Sequence, residues 1–113
     1  MNGDTPEKRF MRFNERSEIQ RIKNKYADYV HQDDGIQINL QLSSLAMLLH
    51  AGRISWRDYR NSVRALSATS GLPDIEFRLL AECSRELTRY LFCVSGQSPF
   101  TPWEWDVQER RVW

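Results

Sequence analysis

Apolar positions recur at three- and four-residue intervals through most of the chain, the spacing that lays one face of an α-helix against a core. Ile19, Ile22, Tyr26 and Tyr29/Val30 form the first such series. Upstream, Thr5-Pro6-Glu7 reads as a helix start. It offers a capping hydroxyl, Pro at the first helical position and an acid at the positive end of the helix dipole. The helix that begins there either runs to about residue 31, or pauses near Asn14 and restarts at Ser17, where Ser17-Glu18-Ile19-Gln20 has the form of a capping box. Asp33-Asp34-Gly35 reads as its stop.

The next stretch carries two patterns at once. Ile36, Ile38, Leu40 and Leu42 alternate with Gln37, Asn39 and Gln41 as in a strand, while Ile38, Leu42, Leu45 and Leu49 follow helical spacing. A strand needs a partner, and only residues 90–94 and 103–107 offer one. The reading adopted is a short extended lead-in, then a buried helix over 43–50 that is apolar nearly all round and therefore central. Gly52 ends it, and Ser55 caps a helix over 56–68. Ser70-Gly71-Leu72-Pro73-Asp74 supplies a stop, a turn and a new cap. A last long helix over 74–94 is expected to bury Phe77, Leu80, Leu87 and Leu91. Ser95-Gly96-Gln97-Ser98-Pro99 breaks it.

These elements predict a mainly α fold, an irregular bundle of three to five helices with room for one short strand pair. A single domain spans residues 1–113. It divides into a basic N-terminal helix or arm (1–16), a helical core (17–95) and an aromatic C-terminal tail (96–113).

Composition narrows the class. The 113 residues suit one domain, and 41% hydrophobic with 27% charged residues is ordinary globular composition. Four Trp, four Tyr and five Phe supply enough large apolar surface for a compact core at this size. No apolar run approaches the ~18 residues of a membrane span, so no membrane association is expected. Met1-Asn2-Gly3-Asp4-Thr5-Pro6-Glu7-Lys8 has no apolar signal core. Cys83 and Cys93 fall on one helix, roughly 15 Å apart at ~1.5 Å per residue, too far to bridge. Two free thiols point to a reducing cytoplasm.

Candidate chemistry is sparse. His31, His50, Cys83 and Cys93 make up the whole His/Cys inventory, and no two share a metal-ligand spacing. No phosphate-cradling Gly-rich loop and no nucleophile elbow occurs. Asp33-Asp34 before a Gly reads as a solvated turn. Neither catalysis, nor a metal, nor a cofactor is expected.

Charge adds more. The net value is only +1, yet it is segregated. Residues 1–25 hold seven basic and four acidic side chains, 26–52 hold three Asp and no Lys or Arg, and 53–64 hold four Arg and one Asp. Arg57, Arg60 and Arg64 lie within about 60° on one helix face, and Arg53 continues the line. Arg at all four positions suits two-pronged contacts to carboxylates or phosphates. The competing reading is pairing with acids of the last helix, or a simply solvated face. On the first helix, Lys8, Arg12, Arg16 and Lys23 form a column with Arg9 beside it, whose like-charge spacing costs a few tenths of a kcal/mol per pair. Trp103, Trp105 and Trp113 in the tail either fold back on the core or anchor a partner.

These features point to a non-enzymatic protein-interaction module that meets a protein partner with an acidic surface. An adaptor, an inhibitor or a small subunit of a larger assembly, including one that handles nucleic acid, fits. The alternative is direct nucleic-acid binding through the arginine helix or the basic N-terminal helix. A helix-turn-helix alignment of 42–60 puts charged Asp58 where a buried aliphatic belongs. The oligomeric state is open between a monomer and a dimer formed along 74–94.

Overall fold

A computed structural model describes residues 5–95. Five helices appear in it: α1 (Pro6–Glu15), α2 (Ser17–Lys25), α3 (Asp33–His50), α4 (Trp56–Ser70) and α5 (Asp74–Ser95), with one 3-10 turn at Tyr29–His31. The mainly helical bundle is therefore present. The strand pair is not, among the described residues. The tail with Trp103, Trp105 and Trp113 lies outside them.

Helix α1 starts as its sequence dictates, with the Thr5 hydroxyl accepting from the Lys8 N–H at 3.2 Å and Pro6 opening the first turn. The chain then breaks at Arg16, which has extended backbone angles. A pause is one of the two readings the sequence leaves open, and it is the one realised, but the capping box is not made. Ser17 is already helical, Arg16 is the cap residue, and no side chain caps α2. Packing explains the break. Phe13 and Ile22 are nine residues apart, so a continuous helix would aim them in opposite directions. Breaking at Arg16 lets Phe13, Ile19 and Ile22 all be buried while α1 and α2 each pack on α5.

The largest correction concerns residues 33–42. Asp33-Asp34-Gly35 does not stop a helix; it starts α3, with both acids in the first turn, where the helix dipole favours them. Asp33 holds a left-handed φ of 44° that swings the chain out of the 3-10 turn, a conformation Asp tolerates better than most residues. Gly35 is needed for approach, because a Cβ there would sit 1.9 Å from the Tyr29 carbonyl oxygen. Residues 36–42 are helical throughout, so no extended lead-in exists. Ile38, Leu42, Leu45 and Leu49 all join the core. Helix α3 touches α4, α5 and the 3-10 turn, yet it is not wrapped on all sides, since Met47 and Leu48 face water.

Helix α4 is capped by Ser55, whose Oγ accepts from the Asp58 N–H at 3.0 Å, and it runs to Ser70 before Gly71 (φ 74°) turns the chain. Leu42, Leu49, Tyr59, Val63, Phe77 and Ala81 form the main core. Ile22, Tyr26 and Leu80 form a second one where α2 meets α5.

Helix α5 begins at Asp74, as read from the sequence, but its second half is inverted. Leu87 and Leu91, expected inside, are exposed, while Arg85, Glu86, Thr88 and Arg89 are buried. The line through Leu80, Leu87 and Leu91 is shielded at Leu80 by α2 and Tyr26. Helix α2 runs back along the first half of α5, from Arg16 at Glu82 to Lys25 at Glu76, and α1 takes the second half through Phe10 on Tyr90, beside rather than over Leu87 and Leu91.

Candidate partner-binding surface

Three facts orient the arginines of α4. Ser55 sets where the helix starts; Tyr59 and Val63, both fully buried, set its rotation. The Tyr59 hydroxyl accepts from Arg85 Nη1 of α5 at 3.1 Å, and the Arg85 guanidinium also lies over the Tyr59 ring. With that side held inward, Arg57 and Arg64 are exposed and Arg60 is half-buried, while Arg53 is exposed just before the cap. Three of the four side chains thus reach solvent, whereas the Nε of Arg60 is buried. Asp58 is exposed on the same first turn.

The acids of α5 look elsewhere. Asp74 pairs with Arg78 on its own helix at 3.0 Å and accepts from Ser67 Oγ at 3.2 Å. Glu76 takes Lys25 at 2.9 Å, lies 3.9 Å from Arg21, and accepts from the Tyr26 hydroxyl. The Tyr26 and Lys25 bonds hold the Glu76 carboxyl below its usual range. Burial, and then the bond to Glu76, raises the Tyr26 phenol. Glu82 takes Arg16 at 3.0 Å.

The N-terminal column is divided by the break at Arg16. Arg9, Arg12 and Arg16 gather with Phe13 around a cleft of about 340 Å3 that also receives Glu82 and Glu86. Arg16 further pairs with Glu18, and that bond, ahead of the neighbouring Glu82, raises its pKa. Lys23 is not part of this group; its Nζ donates to Asn14 Oδ1 at 2.6 Å. Lys8 stays exposed at the start of α1. Much of this basic surface thus meets carboxylates of its own chain.

No family model, curated protein or solved structure matches this chain. Function has to be argued from the side chains themselves.

Sequence reasoning missed a buried polar layer. His50 is fully buried against Phe92, with ring centroids 5.4 Å apart, and Arg85, Glu86 and Arg89 are buried on α5. Burial first, and then the positive charges of Arg89 and Arg85, push the His50 pKa down to about 4, so its imidazole is neutral at pH 7. The signal was present in outline. Arg85, Thr88, Arg89 and Phe92 continue the helical line begun by Phe77 and Ala81. Burial also pushes the Cys83 thiol up to about 11, which keeps it protonated and poorly nucleophilic. Among the described residues no three His, Cys, Asp or Glu side chains cluster as a metal site. No helix among them is long and apolar enough to cross a membrane.

Two open grooves flank α3. One, of about 860 Å3, runs between α3 and α4 and presents Gln37, Gln41, Ser44, Ser62 and Thr69. The other, of about 800 Å3, lies among α1, α2, α3 and α5.

Proposed function

We propose that the chain is a small protein-interaction module whose α4 surface, Arg53, Arg57, Arg60 and Arg64, binds an acidic face of a protein partner. The supporting observation is the direction of the acids on α5. Asp74, Glu76 and Glu82 have Arg78, Lys25 and Arg16 as ion-pair partners, and Asp74 meets α4 at Ser67 rather than at an arginine. Among the described residues, Arg53 and Arg57 enter no ion pair. Guanidinium groups presented from one rigid helix face suit two-pronged capture of carboxylates. Trp103, Trp105 and Trp113 belong to the same reading as an anchoring segment. The module carries out no reaction; it acts in the cytoplasm as an adaptor, an inhibitor or a subunit of a larger assembly.

Phosphates are the other ligand such a face suits. A DNA-reading helix pair crosses at about 90–120°. Here Gln37, Gln41 and Ser44 of α3 line one groove with Thr69, Ala65 and Ser62 of α4, so the two helices lie alongside each other over about two turns. That arrangement favours the protein partner.

The test is affinity capture from native cytoplasm with and without nuclease, using wild type and an Arg53→Glu/Arg57→Glu/Arg64→Glu variant. Circular dichroism is expected to be unchanged, because all three side chains are exposed. A protein partner that survives nuclease and is lost in the variant is the expected result. Recovery of nucleic acid instead transfers the reading to phosphate binding, and a variant that captures like wild type removes the arginine face from it.

A further inference from the structure

The outer edge formed by residues 36–49 of α3 and the second half of α5 is apolar and carries no exposed charge of its own, while Lys23 and Asp28 line the groove beside it. Residues 35–49 contain no acidic or basic side chain, and the charged residues in the second half of α5, namely Arg85, Glu86 and Arg89, are buried. Water instead meets Met47 (54% exposed) on α3, and Leu87 (46%), Leu91 (53%) and Val94 (62%) on α5. The two rows adjoin. Ser43 and Leu87 line the same groove, and further along His50 meets Phe92, so α3 and α5 run side by side in one direction. Met47 and Leu91, each one turn beyond Ser43 and Leu87, occupy the same edge.

We propose that this edge is the surface through which two copies of the chain pair. Ser43 and Met47 are four residues apart, and Leu87, Leu91 and Val94 four and three, the spacing that seats one helix against another. A two-fold contact sets many groups close to their own twins, which a charged patch resists and an uncharged one permits. A net charge of +1 adds little long-range repulsion between copies. The area is sufficient. These side chains leave on the order of 400 Å2 of apolar surface open per copy; at the ~60% apolar share of an interface, a pair buries roughly 1,200 Å2 in total. Specific interfaces need about 1,000 Å2. An acidic partner suited to the α4 arginines finds no complement here, so the two surfaces serve different neighbours.

Sedimentation of the full chain from low micromolar to several hundred micromolar tests the proposal. A concentration-dependent dimer is expected. Leu91→Asp and Met47→Asp, both at positions more than half exposed, should each weaken it at least about tenfold. Ile75→Asp, equally exposed but on another side of α5, should leave it unchanged. Thermal unfolding verifies each fold, with Leu91→Gln and Met47→Gln replacing any Asp variant that does not fold. A chain that stays monomeric throughout overturns the proposal, including the case in which residues 96–113 cover the edge. So does a dimer indifferent to Leu91 and Met47, or one lost equally in Ile75→Asp.

Discussion

At the residue scale, His50 has the most distinctive environment. The unfolded chain takes up its proton near pH 6.5 and the folded chain only near pH 4. Its share of stability is therefore complete above about pH 6.5, is lost progressively as pH falls through that window, and changes no further below about 4. The full span corresponds to roughly 3 kcal/mol. Urea unfolding between these pH values should show a steeper loss of stability in wild type than in His50→Gln, whose side chain does not titrate; equal slopes would mean that His50 takes up its proton without unfolding. Nothing in the spacing of His50 relative to the other His and Cys residues revealed this. Its burial follows from where α5 lies, which is information from residues thirty to forty positions away.

Elements began where local chemistry told them to and turned where packing told them to. Thr5, Ser55, Gly71 and Asp74 act within their own few residues, and all four boundaries were legible. Gly35 was misread because a Gly after two acids resembles a helix stop, whereas its actual role is to admit the Tyr29 carbonyl. The two glycines should consequently respond very differently to alanine. At Gly71 the added Cβ meets nothing within 4 Å, and only the left-handed φ is penalised, by about 1 kcal/mol. At Gly35 it collides with backbone, so the α3 start must shift, at a cost of about 3 kcal/mol or more. Thermal denaturation of Gly35→Ala and Gly71→Ala measures the contrast, and similar melting temperatures would contradict the packing of α3 on the 3-10 turn.

Across the whole molecule, two surfaces of opposite character stand apart: arginines on α4, and an uncharged apolar edge on α3 and α5. Their physics predicts opposite salt responses. Partner capture through guanidinium groups should weaken steadily as sodium chloride rises, because exposed charges are screened over about 10 Å at 0.1 M. Pairing through Met47, Leu87 and Leu91 should be indifferent to sodium chloride and strengthened by sulfate, which favours apolar burial. Capture and sedimentation run over the same salt series separate the two; a dimer dissolved by sodium chloride would have to be held by charge instead.

Sequence by itself determined the helical class and the starts of α1, α4 and α5. Each depends on periodicity or on side chains within a turn of the backbone they satisfy. Only the tertiary structure decided that α1 and α2 part at Arg16, that residues 36–42 are helix, and that α5 turns Arg85 and Arg89 inward while leaving Leu87 and Leu91 outside. The alternation at 36–42 and the leucines of α5 are each compatible with more than one environment. Which is realised depends on where neighbouring helices pack, and α1 and α2 lie against α5 at Tyr90, Glu82 and Glu76 and leave Leu87 and Leu91 open.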